Sequence, residues 1–450
     1  MHITYLSVLT ALSGSSEAFF RMSCPGRLVR QRLDPIVTPG GIAGHVHTVS
    51  GGAAFAPTMT YEGMRASNCS SCTIKKLYAF PEGFRMVAGD PFARSFGNNS
   101  AAKAISFNCL GGPNLPETNG MPDFNCPGGL RAQVFFPACW NGKDVDTPDH
   151  RSHMSYPLGQ EYNTGACPPD FPVHMVSIFY EVLYDTASFF DQWTGTQHPF
   201  VFSNGDATGF GYHGDFMNGW NISTLQRAID ECTDDSGLVE RCPAVTQFTG
   251  EECQACRLPE DVDEAIDGHL DKLPGCNPIT YGPGRAVPQQ CNDGVKLGVR
   301  KVNYVDLTAT KKWEYIGCGR DNIGDRAFTG QSWSRQNTTV EDCVDFCSDS
   351  GYSYAGLEYK GECFCANQLN PKYAPKDGIM GACVMKCTGN PDQTCGGWAA
   401  MSIYHACPAG GPCQNNEEFG KAPTVKAKRV MTIEVPKQKV RTHAREILGA

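Results

Sequence analysis

The chain has 450 residues, with 38 lysines and arginines against 47 aspartates and glutamates, and its formal net charge of −9 argues against nucleic acid as a main partner. Its 23 cysteines are too many thiols for a reducing compartment and point to an oxidising one, where they act as staples. Gly (49) and Pro (30) are plentiful and charged residues are only 19%, a balance that favours turns and short strands over long helices.

In chain order, Ile3 to Leu12 is an apolar run followed by small and polar residues up to Ala18. This pattern predicts a signal peptide over 1–18, cleaved after Ser16-Glu17-Ala18. The leading segment carries His2 in place of Lys or Arg, so a buried N-terminal strand is the competing reading. No later stretch reaches about 18 apolar residues, so neither a transmembrane helix nor a glycolipid-anchor tail is expected. Asn98-Asn99-Ser100, Asn221-Ile222-Ser223 and Asn337-Thr338-Thr339 fit the glycosylation rule, and so does Asn68-Cys69-Ser70, which a disulfide at Cys69 would hinder. The expected product is a secreted glycoprotein, extracellular or in the cell wall.

Residues 19–300 read as one large domain. Gly129–Phe136, Val173–Val182 and Pro199–Ser203 are strand-like, separated by turn signals such as Pro39-Gly40-Gly41, Cys126-Pro127-Gly128-Gly129 and Asn204-Gly205-Asp206. One amphipathic helix is expected from Ser223 to Cys232, with Ser223 as N-cap and Leu225, Ile229 and Cys232 on one face. The sum predicts a mostly β domain, β-sandwich-like by default.

Histidine is scarce, yet three clusters stand out. Gly44-His45-Val46-His47 places two imidazoles at i and i+2, which on a strand point to one face. Asp149-His150-Arg151-Ser152-His153 is a second cluster. The third is Gly209-x-Gly211-Tyr212-His213-Gly214-Asp215, where His213 and Asp215 again share a face. Paired imidazoles on one strand with a distant third ligand suit a divalent metal, so His45 and His47 are candidate metal ligands. His45, His47, His213 and Asp215 are also candidate catalytic groups for acid–base work at a glycosidic bond. The competing reading is structural: histidines bonded to backbone or carboxylate are common in protein interiors. His153 and His174 are weaker candidates, His174 because it lies in an apolar strand-like run.

Phe20-Arg21-Met22-x-Cys24, Asp34-Pro35-Ile36-Val37, His45-Val46-His47-Thr48, Pro137-x-Cys139-Trp140, Asp149–His153 and His213-Gly214-Asp215-Phe216 together resemble a fungal secreted domain of unknown function, over roughly 19–235. The resemblance implies secretion and a place upstream of a cysteine module, and no established activity. It also implies a longer stretch after the Cys69-x2-Cys72 pair, with strand-forming aromatic segments, where only Thr73 to Tyr78 precede Ala79-Phe80-Pro81. Missing strands would expose sheet edges. The 13 cysteines of this region are an odd number, so one is expected to lack a partner, while Cys253-x2-Cys256 reads as part of the disulfide framework.

Residues 312–407 form a cysteine module. Cys318, Cys343, Cys347, Cys363, Cys365, Cys383, Cys387 and Cys395 lie within ninety residues, and so small a core needs staples, although eight cysteines leave the pairing open. Zinc is the competing reading, disfavoured because no histidine accompanies these cysteines. Glu341-Asp342-Cys343-x3-Cys347, Gly351-Tyr352-x-Tyr354-Ala355-Gly356, Glu362-Cys363-Phe364-Cys365 and Cys387-Thr388-Gly389-Asn390 through Cys395-Gly396-Gly397 resemble a WSC domain, a small α+β module. The resemblance implies binding to wall glycans such as β-1,3-glucan. Tyr352, Tyr354, Tyr359 and Trp398 are the candidate glycan-binding rings, since flat apolar faces stack on sugar C–H groups, and core filling is the alternative for each. Cys407 and Cys413 are expected to close the module.

The tail, 408–450, turns basic, with eight Lys or Arg against two Glu from Lys421 onward. Two functions remain open at this point. The first is a cell-wall-associated protein that binds polysaccharide. The alternative is a carbohydrate-active enzyme, hydrolase or lyase, with a His/Asp cluster in the large domain.

Overall fold

The computed structural model describes residues 24–416, apart from positions 25, 66, 68, 73–79, 113–114, 160–161, 163–164, 196, 233, 235–236, 259, 263, 267–268, 290, 298–303 and 377–380. The expected signal peptide, the basic segment beyond Lys421 and the short stretch after Cys72 lie outside the described residues. Strand outweighs helix, 23% to 13%, as the turn-rich composition predicts.

In the larger region the strands are short and gathered in small antiparallel sheets. β1 (Val29–Gln31) pairs with β2 (His47–Val49), with Gln31 opposite His47. The short α1 (Tyr61–Arg65) precedes β3 (Arg85–Gly89), and α2 (Ser100–Lys103), capped by the Asn99 side chain, leads into β4 (Ile105–Cys109). β5 (Leu130–Phe135) is central in a three-stranded sheet, between β4 and β9 (Phe179–Tyr184). β6 (Cys139–Trp140), β7 (Met154–Ser155) and β8 (Val173–His174) form a second one. β10 (His213–Met217) pairs with β3. One core lies between them, built from Phe80, Phe84, Met86, Phe107, Leu130, Val134, Phe136 and Phe216.

Three local expectations change. The Val173–Val182 run is split into β8 and β9, because Met175 donates its N–H to Ala138 O (2.8 Å) and Phe136 its own to Ile178 O (2.8 Å), carrying the chain from one sheet to the next. Pro199–Ser203 is not a strand. The expected helix is α3 (Ile222–Glu231), but its N-cap position is Asn221 and not Ser223, and its buried residues are Leu225 and Ala228, with Ile229 only partly buried. Downstream, α4 (Gly250–Ala255) opens on a Thr249–Glu252 capping box.

The C-terminal module is a five-stranded antiparallel sheet in the order β11 (Trp313–Arg320), β15 (Ala400–Ala406), β13 (Tyr354–Glu358), β14 (Glu362–Ala366), β12 (Ser332–Ser334). α5 (Val340–Asp349) packs on this sheet. Its buried residues, Val340, Cys343, Val344 and Cys347, recur at helical spacing, and Thr339 and Asp342 form a capping box. Disulfides Cys343–Cys363 and Cys347–Cys365 staple this helix to β14. Cys318–Cys383, Cys387–Cys395 and Cys407–Cys413 hold the remaining turns, so all eight module cysteines and the expected closing pair are bonded, and zinc has no thiolate to bind there.

In the larger region Cys24–Cys72, Cys69–Cys256, Cys109–Cys126, Cys139–Cys167, Cys232–Cys242 and Cys276–Cys291 form. The odd cysteine is Cys253, which is buried and reduced, so the Cys253-x2-Cys256 pair contributes only Cys256 to the framework.

Candidate functional site

Two places in the chain gather the candidate residues. The first is a histidine centre in the larger region. His47 opens β2, and His45 lies just ahead of the strand rather than on it. Their segment is pinned by side chains: Asn277 Nδ2 donates to Gly44 O (2.9 Å) and Ser203 Oγ to Val46 O (2.9 Å). His213 and Asp215 stand on one face of β10, while Gly214 and Phe216 alternate into the core. Gly214 fits closely there, since a Cβ would press to 3.0 Å on the side chains of both Phe136 and Val134. The loop before β10 is knotted by buried Asp206, which accepts from Thr208 N (2.8 Å) and Gly211 N (2.7 Å) and faces the buried Arg94.

These elements bring the candidates together. His45 Nε2 lies 3.0 Å from His213 Nε2, and the His45 and His47 rings are 4.4 Å apart between centroids. His47 Nε2 is 3.6 Å from Asp215 Oδ2 and 3.9 Å from Asp34 Oδ2. The ligand atoms of His45, His47 and His213 all lie within 4.8 Å of one another, and so do those of Asp34, His47 and Asp215. Burial first, then the neighbouring imidazoles, pushes His45 down to about 2. Burial also lowers His47, against the opposing pull of Asp215. Both rings are therefore neutral and free to offer lone pairs.

Asp34 is the site residue that sequence reasoning did not single out. Its Oδ1 accepts from the N–H groups of Ile36 and Val37 (both 2.9 Å), which aims Oδ2 at His47. The signal in the sequence was its place in the Asp34-Pro35-Ile36-Val37 motif, which carried the family resemblance but no chemistry.

The second histidine cluster is structural. Asp149 Oδ1 accepts from Arg151 N (3.1 Å) and Ser152 N (3.0 Å), closing a turn, and His150 Nδ1 lies 2.6 Å from Asp146. His153 is fully buried, its ring nitrogens engaged with Arg85 O (2.8 Å) and Thr147 Oγ1 (3.1 Å). His174 is exposed on β8, apart from the centre.

The second place is an aromatic face on the C-terminal module. The four candidate rings separate by burial. Tyr352 packs against the core beside α5, and Tyr354, on β13, packs on Phe328 and lies 4.3 Å from the His405 ring. Tyr359 and Trp398 stand outside, 48% and 71% exposed, with ring centroids 5.4 Å apart and nearly perpendicular. Tyr359 occupies the β13–β14 turn at φ 45°, and the Tyr359 N–H reaches Gly397 O (3.3 Å), joining the two turns that carry the rings. Below them Arg326 holds Asp321 and lies 3.1 Å from Glu358 Oε2. Burial and the adjoining Asp321 carboxyl outweigh that guanidinium and push Glu358 up to about 8.

Comparison with known families follows this division. The family described as "Domain of unknown function (DUF1996)" matches residues 34–77 and 74–220, the match breaking at the short stretch after Cys72. The WSC domain family matches residues 315–397. A WSC domain-containing protein of Arthroderma benhamiae is 39% identical over 95 residues, 20% of this chain and 10% of that protein. Xylosyltransferase oxt of Drosophila melanogaster is 39% identical over 90 residues, again 20% and 10%. Human Kremen protein 2 is 32% identical over 116 residues, 25% of this chain and 24% of its own length. This chain thus spans between a tenth and a quarter of these relatives.

Proposed function

For a chain that carries an N-terminal DUF1996 domain and a C-terminal WSC domain, we propose a role as an extracellular, cell-wall-associated protein that docks on polysaccharide through the Tyr359–Trp398 face. At the family level the WSC domain supports a carbohydrate-binding, wall-associated role. Eleven disulfides suit an oxidising, extracellular setting, and no helix among the described residues is long and apolar enough to cross a membrane.

The observation that carries the reading is the exposure of Trp398 beside Tyr359. A free indole face costs hydration that a core position would have avoided, and it suits the apolar C–H face of a pyranose, with the turn's polar groups left for hydroxyls. The disulfide Cys387–Cys395 and the backbone bonds between the two turns hold both rings in place before any ligand arrives, which lowers the entropy lost on binding. The ligand class is a neutral β-linked wall glucan, of which β-1,3-glucan is the expected member. Co-sedimentation of the full chain with insoluble β-1,3-glucan, chitin and cellulose tests this. Retention on the glucan, lost in Trp398→Ala, is expected, and retention on none of the three would overturn it.

A further inference from the structure

The histidine centre lies in the other domain and does not depend on glycan docking. We infer that His45, His47, His213 and Asp215 bind one divalent transition-metal ion, with Asp34 as a second carboxylate facing His47.

The first ground is the convergence of ring nitrogens. His213 Nδ1 lies 3.1 Å from Gly211 O, a carbonyl that can only accept, so His213 carries its proton on Nδ1 and presents a bare Nε2. That nitrogen faces His45 Nε2 at 3.0 Å. Two imidazoles held about 2.0–2.1 Å from one zinc-sized ion place their nitrogens at about this separation. The backbone bond on Nδ1 is also the outer contact that metal-binding histidines use to fix their ring.

The second ground is His47. Among the described residues neither of its ring nitrogens has a hydrogen-bond partner, although both are buried. The carboxylate oxygens nearest its Nε2, at 3.6 and 3.9 Å, stand beyond hydrogen-bond reach. A buried polar ring left without a partner is costly, and an ion bound to it removes that cost.

The third ground is charge. Asp34 and Asp215 have no lysine or arginine partner among the described residues. Two carboxylates set beside three imidazoles, with no basic side chain among the described residues paired to them, suit a divalent cation. Imidazole with carboxylate selects copper, zinc, nickel or iron over magnesium and calcium, and the general affinity order puts copper(II) first.

The experiment uses the untagged full-length protein, stripped with a chelator, desalted and loaded separately with copper(II), zinc(II) or calcium(II). Metal per chain is measured after gel filtration, and copper-loaded protein is examined by electron paramagnetic resonance. About one retained copper or zinc per chain is expected, no retained calcium, and nitrogen hyperfine structure from coordinated imidazole. His45→Ala/His47→Ala should weaken copper binding at least a hundredfold while His174→Ala leaves it unchanged. Retention below a tenth of an equivalent, or copper spectra without nitrogen coupling in the unmutated protein, would overturn the site whatever the folding of the variants. Equal binding by a folded double variant would do the same.

Discussion

His47 Nε2 faces Asp215 Oδ2 at 3.6 Å, a separation too long for a hydrogen bond and too short for indifference. β2 carries the first residue and β10 the second, so the pair reports how two small sheets are set against each other.

Metal loading should therefore brace these sheets. An ion that binds only the folded state at about 100 times its Kd adds about 2.7 kcal/mol. Zinc(II) added to stripped protein is expected to raise the melting temperature of the N-terminal region, and His213→Ala should abolish the rise. Differential scanning calorimetry with and without metal reads this directly.

The C-terminal module should lose stability as pH rises. Glu358 titrates near 8 in the fold against an ordinary 4.5, so between these values the folded state keeps a proton that the unfolded chain releases. Its contribution is complete below about pH 4.5 and lost as pH rises through about 8. Melting at pH 5 and pH 8.5 should show the decline, and Glu358→Gln, which cannot ionise, should flatten it.

One thiol should be countable. Cys253 is buried and Cys69 has taken Cys256, so thiol titration is expected to give one group in denaturant and almost none in native buffer. Two or more thiols in denaturant would mean that a disulfide described above is absent.

The edge strand β9 should make the protein self-associate. Among the described residues it ends the β4–β5–β9 sheet with one side unpaired, and Leu183 stands 69% exposed on it. Leu183→Lys places a charge on this apolar edge, and light scattering at rising concentration should show less association than in the unmutated chain.

Much of this was legible in the sequence, for physical reasons that differ by element. The alternation of His213, Gly214 and Asp215 was readable because a strand repeats every two residues, and β10 does place both candidates on one face. The cysteine module was readable because its staples constrain spacing tightly. Asp34 was not, since only the pairing of β1 with β2 brings it to His47. Nor could the four aromatic candidates be separated. Tyr354 and Tyr359 lie five residues apart in one strand-like run, and only the place of the β13–β14 turn packs the first on the core and exposes the second.

The most direct test of glycan docking is the intrinsic fluorescence of the full chain titrated with a soluble β-1,3-gluco-oligosaccharide. Trp398 is 71% exposed, so sugar stacking should shift its emission with saturation. Trp398→Ala should abolish the shift and weaken binding, followed independently by calorimetry, at least tenfold. Unchanged affinity in a folded Trp398→Ala, or saturable binding that survives loss of both Trp398 and Tyr359, would contradict the assignment of this face.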